Sequence, residues 1–529
     1  MSEPSRRGDP ALRYGRIIGP PGTGKTGTIQ STVATWVERD GYRPEDFVLT
    51  SFTRSAAAVL SGRISVPRDQ IATLHALAYR ALGKPPMAEE GELAKQWNEA
   101  HASRPSWQVG SPLSTEDDGL ALPDAEAGEM MRMYSLARAR LVPVGHPLFQ
   151  QTRDFAVEWN RFKAETDSID FTDMLESAAM QVPELDQPIL IIDEAQDLTP
   201  LQWVLARQWG ARAERFLVAG DPAQSLYQFS GARPDDLLAP IGDDETLYVL
   251  PQGYRMPSSI QETAEGLLRR HSGSMMEGRE YRPREAREHP DDVGVVRYSD
   301  ATWRQPEEIL ASIGRDERDC MVIASCSFML QPLIKLLREH GIPFANRYKT
   351  SNGAWNPLAR RSGTTSTAAM IAAFADGAPA VEWVDLLRAN SFIVRQAKDY
   401  LEAGSDTMEG LLKAEHVEAY KAKDLRWLRE RMLQKYVGPA DYAISVITKH
   451  GTAALTREPR VTVGTIHSIK GGENRVCYVF PDVSYAGDQE RQNSREGEDA
   501  AVRLAYVGMT RASEELVLCA PADVRRSMW

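Results

Sequence analysis

The sequence has no long apolar run. Nothing in it approaches the roughly 20 residues of a membrane-crossing helix, and its opening, MSEPSRRGDP, lacks the apolar centre of a signal peptide. A cytoplasmic protein with no membrane partner is expected. Cysteine is scarce: Cys320, Cys326, Cys477 and Cys519 lie far apart, with no CxxC or CxxC…H spacing. They read as small buried apolar side chains in a reducing compartment, which argues against a structural zinc or iron–sulfur site. Positive charge is also short, with 62 Lys and Arg against 74 Asp and Glu and a net charge of −12. That balance argues against a protein that coats nucleic acid through its whole surface, because such binding rests on neutralising phosphates. A local basic channel lined by aromatics remains compatible with it. There is no internal repeat, no long low-complexity tract and no nuclease-like cluster of acids.

What is present is organised around Gly19-Pro-Pro-Gly-Thr-Gly-Lys25-Thr26, a GxxxxGKT run between the apolar stretch Tyr14–Ile18 and the helical pattern Thr26–Glu38. Strand, glycine-rich turn and helix in that order make a P-loop. A triphosphate must be wrapped by backbone N–H groups, and side-chain-poor positions such as Gly22 and Gly24 let the backbone come close. Lys25 then reaches the β and γ phosphates of ATP, and the Thr26 hydroxyl holds Mg²⁺. Gly19, Pro20, Pro21 and Thr23 complete the cradle.

At 529 residues the chain has length for several domains. Phe47–Arg54 reads as a buried strand running into a turn, Ser55–Leu60 as the start of a helix, and Ile71-Ala72-Thr73-Leu74-His75 as a further strand-like piece. Residues 78–182 turn Ala-, Glu- and Arg-rich, with Trp97, Trp107 and Trp159 scattered among helical stretches, and close on Asp170-Phe171-Thr172-Asp173. The continuous apolar run Pro188–Ile192 then delivers Asp193 and Glu194 to the carboxyl end of a doubly covered strand, where such sheets bind ligands. Asp193 is placed to hold Mg²⁺ and Glu194 to take a proton from attacking water. Two more strands open into polar, aromatic loops, Phe216–Ala232 and Tyr248–Arg255. Strand candidates Val293–Tyr298 and Cys320–Ala324 and the helix Gln331–His340 begin a second α/β unit. A Ser/Thr/Gly/Arg-rich linker, Lys349–Thr367, opens another mostly helical stretch, and Val461-Thr462-Val463 resumes the sheet.

The ordered set GPPGTGKT, TSFTRSAA, ATLHALA, IIDEAQD, VAGDPAQSLYQFSGA, LPQGYR, VTVGTIHSIKGGE and AYVGMTRA resembles the UvrD/Rep-like helicases of superfamily 1 across nearly the whole chain. The resemblance implies an α/β fold of two RecA-like P-loop cores, parallel sheets with helices on both faces, each interrupted by a mostly helical insertion. In these terms residues 1–77 and 183–250 form core 1A, 78–182 insertion 1B, 251–350 and 456–529 core 2A, and 351–455 insertion 2B. Both insertions are short for the family.

Further roles follow from the resemblance alone. Arg255 and Arg511 are implied to meet charge developing on the γ-phosphate, Gln224 to sense that phosphate, Glu473 to contact the ribose and Tyr254 to lie against adenine. Phe52, His75, Tyr227, Phe229, Thr465 and His467 fall at positions that line a single-strand channel. Bases stack on aromatic faces whatever their sequence. Spacing by two would put Tyr227 and Phe229 on one face of an extended loop, although aromatics near a strand end are also ordinary core residues. The sequence departs from the family pattern in lacking an upstream LNxxQ glutamine and in carrying Ser230 where an arginine is common. The implied activity is an ATP-dependent single-stranded DNA translocase and helicase, 3′→5′, acting at ss/dsDNA junctions. A translocase that strips proteins without unwinding, a nucleotide-gated DNA clamp and an RNA motor stay open beside it.

Overall fold

The computed structural model describes residues 13–51, 66–110, 128–271, 280–285, 293–345, 367–376, 418–419, 421–430, 434–455 and 457–529. Two six-stranded sheets organise them. The first is built from β1 (Tyr14–Ile18), β2 (Phe47–Thr50), β3 (Ile71–Ala72), β4 (Ile189–Ile192), β5 (Arg215–Gly220) and β6 (Glu245–Val249), in the order β3-β2-β4-β5-β1-β6. The second uses β7 (Val295–Ser299), β8 (Cys320–Ala324), β9 (Phe344–Ala345), β10 (Val461–Thr465), β11 (Asn474–Val479) and β12 (Ala512–Cys519), in the order β7-β12-β11-β8-β10-β9. Every pairing among these strands is parallel.

The strand sequences explain why both sheets are covered on both faces. Side chains alternate across a strand, so in β4 Ile189 and Ile191 join a core with Ile29, Val33 and Trp36. Leu190 and Ile192 face the other way, into a core with Leu74, Met174, Leu205 and Trp209. The second sheet repeats the arrangement. Met321, Ile323, Cys477, Val479, Leu516 and Leu518 face one cluster, and Cys320, Val322, Val476, Tyr478, Val517 and Cys519 the other. All four cysteines are buried and free, filling sheet-face space as small apolar groups.

Helices supply the covering layers. The first, α1 (Lys25–Glu38), follows the glycine-rich turn. Between β3 and β4 lie α2 (Leu74–Ala81), α3 (Gly91–Ala100), α4 (Glu129–Ala139), α5 (Pro147–Gln151), α6 (Arg153–Glu165) and α7 (Phe171–Gln181), and α8 (Pro200–Arg212) joins β4 to β5. The second half carries α9 (Ser258–His271), α10 (Glu307–Arg315), α11 (Gln331–Glu339), α12 (Thr367–Asp376), α13 (Leu425–Glu430), α14 (Gln434–His450), α15 (Tyr485–Asn493) and α16 (Arg495–Met509). Much of the stretch 346–433 lies outside the described residues, including the Lys349–Thr367 linker up to its last residue, Thr367, which begins α12.

One expectation fails locally. Ile71–His75 is not a single strand: β3 stops at Ala72, and Thr73 caps α2 by accepting from the Ala76 N–H at 3.3 Å. A threonine ahead of an apolar helical repeat is a start signal, and it wins over the β-branched run. His75 therefore sits on a helix.

The helical segment between β3 and β4 has its own core, in which Trp97, Trp159, Phe155 and Tyr134 pack with Met131. Beneath it Asp170 caps α7 and accepts from Arg138 at 2.9 Å, Lys163 at 2.6 Å and the Trp159 indole at 3.0 Å, all in a buried setting. Burial opposes the charge on Asp170. Arg138 and Lys163 outweigh it and hold the carboxyl below its ordinary range. Asp170→Asn leaves two buried cations short of a partner and is expected to cost about 3–5 kcal/mol in urea unfolding. Because the folded value is lowered, the wild-type advantage is full above the unfolded carboxyl's value of about pH 4 and is lost as pH falls below it and on through the lower folded value. A variant with unchanged stability, or an advantage that grows in acid, contradicts this account.

Candidate nucleotide site and the loops beside it

The P-loop emerges from β1 and turns sharply into α1. Gly22 and Gly24 take φ of 75° and 82°, a left-handed conformation open to glycine, which turns the first N–H groups of α1 toward the loop's interior. A Cβ on Gly22 would stand 2.5 Å from the Cβ of Arg255, so the absence of a side chain also admits a residue from the second half of the chain. Lys25 folds into its own loop, donating to the Gly19 carbonyl at 2.7 Å. Burial lowers its pKa, opposed by Glu194, Asp221 and Asp193. A buried ammonium at the start of a helix, amid backbone N–H groups, is the donor set a phosphate chain needs.

At the end of β4, Asp193 accepts from the Thr26 hydroxyl at 3.1 Å. Burial and the neighbouring Glu194 push its carboxyl up to about 6. This hydroxyl–carboxylate pair, short of positive charge, fits a hard divalent cation. Glu194 behaves oppositely. Burial would raise it, yet Lys470 and Lys25 hold it at about 2, so it is ionised at neutral pH. Its backbone is left-handed at φ 56°, rare for a side-chain-bearing residue and a form of strain that clusters at functional sites. Gln196 donates to Glu194 at 2.6 Å and accepts from the Asp221 N–H at 3.0 Å, and Asp221 in turn accepts from Gln224 at 2.8 Å. One relay thus joins the acid after β4 to the glutamine after β5.

The second half closes over this site. Tyr254 N–H donates to the Gly22 carbonyl at 2.8 Å, and the Tyr281 hydroxyl to the Pro21 carbonyl at 2.5 Å. Tyr254 keeps an exposed ring beside Gly24, a face available to a base. Arg255 pairs with Glu473 at 2.5 Å beside the loop. Arg511 is placed differently. It is 1% exposed and donates to Val507 at 2.9 Å, Gly472 at 3.1 Å and Thr510 at 3.0 Å. Arg255 is accordingly the arginine at the P-loop, while Arg511 holds the end of α16 to the Gly471–Gly472 turn.

Of the residues expected along a strand channel, Phe52 lies outside the described residues. Tyr227, Phe229 and His467 come together, with ring centroids 5.8–6.2 Å apart. The loop is not extended as expected: Gln228–Ser230 forms a tight turn, Tyr227 is buried and Phe229 is 38% exposed. Thr465 is buried, and its hydroxyl accepts from the Ser468 N–H at 3.2 Å. His75 stands apart from this group, its ring 5.0 Å from that of Phe171. Burial lowers both His75 and His467 to about 4, so each presents a neutral ring.

Sequence reasoning passed over Lys470. Its ammonium pairs with Glu194 at 3.2 Å and with Asp197, and stands 5.4 Å from the centre of the Tyr227 ring. Asp197 in turn accepts from the Leu226 N–H at 3.2 Å. Burial works against the charge on Lys470, but the two acids more than offset it and raise its pKa. Lys470 and Gln196 both lay inside quoted motifs, SIKGGE and DEAQD, and the signal was a lysine or amide sitting next to residues already chosen.

Twin parallel sheets with a P-loop in one and an arginine supplied from beyond it define a two-core P-loop nucleotide-binding protein. Residues 13–243 match the model of the UvrD/REP helicase N-terminal domain, and the chain is similar to helicases of the UvrD/Rep type. It is similar to YjcD of Bacillus subtilis, which carries the provisional name of an ATP-dependent DNA helicase, at 23% identity over 96% of this chain and 77% of that protein. UvrD2 of Mycobacterium bovis, named an ATP-dependent DNA helicase, matches at 27% over 42% of this chain, and PcrA of Leuconostoc citreum, named likewise, at 25% over 48%. These two matches each span 36% of the relative's length.

Gly22→Ala tests the close approach at the loop. A left-handed alanine costs about 1–2 kcal/mol, and its methyl displaces Arg255. Stability is expected to fall by that amount and a fluorescent ATP analogue to bind about tenfold more weakly, a loss of about 1.4 kcal/mol. Unchanged binding would show that Arg255 need not approach Gly22.

Proposed function

We propose that this chain is an ATP-driven motor that moves 3′→5′ along single-stranded DNA and opens duplex at single-strand/double-strand junctions. The observation that carries the reading is Lys470: one ammonium from the second sheet's side ties the acid beside the P-loop to the aromatic loop at Tyr227. Nucleotide state and grip on a strand then meet at a single residue.

In this mechanism the α1 N-terminus and Lys25 bind the ATP phosphates, Lys25 exchanging the Gly19 carbonyl for phosphate oxygens. Thr26 and Asp193 would hold Mg²⁺, which when bound would supply positive charge to the phosphates. Tyr254 lies against the base and Glu473 reaches the ribose. Glu194 orients a water and accepts its proton as the water oxygen bonds to the γ-phosphorus and the bond to the bridging oxygen breaks. Gln224, held by Asp221 and linked through Gln196 to Glu194, responds to the γ-phosphate. Arg255 meets the developing charge from the other core, which makes hydrolysis depend on closure. Arg511 contributes from behind, by fixing the turn that carries Glu473. Phe229 and His467 offer ring faces to bases, and the resemblance assigns Phe52 and His75 to the same strand. Alternating closure and release move the strand in small steps.

Steady-state ATP hydrolysis with and without single-stranded DNA tests the reading. Turnover is expected to rise strongly with DNA. Lys25→Ala should abolish it, and Glu194→Gln should lower it by about 10²–10⁴-fold while still binding DNA. Turnover indifferent to DNA, or a Glu194→Gln enzyme of normal rate, would sink the motor and favour a nucleotide-gated clamp. Stimulation by RNA in place of DNA would reassign the substrate.

A further inference from the structure

Ser230 makes its side-chain hydrogen bond within its own turn, to the Tyr227 carbonyl at 2.8 Å. The guanidinium that reaches this turn comes from elsewhere. Arg140 caps the C-terminal end of α4, and its Nη2 donates to the Gln228 carbonyl at 2.9 Å, between the two aromatic residues. The same nitrogen donates to Glu496 at 3.1 Å, in the first turn of α16. The Arg140 stem lies along the turn as well: a Cβ on Gly231 would meet its Cγ at 3.4 Å. Gly231 has φ 102°, so the chain doubles back against this arginine.

These contacts join three parts of the molecule that are distant in sequence. α4 belongs to the helical segment between β3 and β4, Gln228 to the aromatic loop, and α16 to the second sheet's layer, leading at its far end into Thr510 and Arg511. The Arg140 and Glu496 side chains are 27% and 56% exposed. An ion pair that open to water adds little to folding stability, so its value lies in what it connects. Moving Gln228, as a base pressing on Phe229 would, changes the reach of Arg140 to Glu496 and so bears on the position of α16. Coupling of this kind acts through a shared element that both sites bias.

We propose that Arg140 is a positioning residue that relays occupancy of the aromatic loop to α16 and thereby sets how strongly single-stranded DNA accelerates ATP hydrolysis. This rests on the motor reading above. Arg140 touches neither nucleotide nor the reacting atoms, so its substitution spares the DNA-free rate and lowers the stimulated one. Glu496 acts in series with it.

The experiment measures ATP turnover of the full chain with and without an oligothymidylate, for wild type, Arg140→Gln, Arg140→Lys, Glu496→Gln and the Arg140→Gln/Glu496→Gln pair. Wild type must be stimulated, and if it is not, the motor reading fails before this one is reached. Given stimulation, Arg140→Gln is expected to keep its DNA-free rate within about twofold and to lose about tenfold of the stimulated rate, a coupling of about 1.4 kcal/mol. Half-saturation by the oligonucleotide should move less than the maximal rate. Glu496→Gln, on an exposed side chain, should lose several-fold, and the double variant should be no worse than Arg140→Gln, since residues in series do not add. Arg140→Lys, with one point charge in place of a fork, should recover part of the loss. Full stimulation in Arg140→Gln, proportional loss of both rates, or additive effects would each overturn the proposal.

Discussion

A largely buried ammonium lodged between two carboxylates is the constraint on which the rest of this structure depends. Lys470 meets Glu194 and Asp197 where water is largely excluded. Placing three charges there costs several kcal/mol per ion unless each finds its partner. The partners come from opposite halves of the chain, so the electrostatics is satisfied only when the two sheets stand close together. Asp197 illustrates the tension: burial pushes it up to about 6, with Lys470 pulling the other way. Tyr254, Tyr281 and Arg255 reach the P-loop across the same boundary. The nucleotide cleft is therefore defined by the charge balance at its floor as much as by its walls.

Why some of this was legible in the sequence and some not follows from the range of the interactions. The P-loop and the strand ending in Asp193-Glu194 are local objects: a glycine pattern needing positive φ, and a four-residue apolar strand with acids at its end. Both can be read without knowing what lies opposite. Coverage of the first sheet on both faces was legible for the same reason, in the continuous apolar run of β4. Lys470, Gln196, Tyr281 and Arg140 matter because of partners tens or hundreds of positions away, and no spacing rule encodes that. Arg511 shows the converse. Its motif suggested the cleft, yet its guanidinium is occupied by carbonyls of its own layer. The Tyr227–Phe229 pair failed as an extended platform because Gln228–Ser230 curls into a turn, which spacing by two cannot foresee.

The loop after β5 also changes how the two halves are counted. Ala223, Leu226, Tyr227 and Ala232 leave the first sheet and enter an apolar cluster with Met256, Ile260, Ile466, Val502 and Val507 from the second. A wide gape between the halves would bring those side chains into water, at roughly 25 cal/mol for each Å² uncovered. Sliding of one packed surface along the other keeps them covered. The relative motion that this interior permits is thus shear of small amplitude rather than the swing of a hinge.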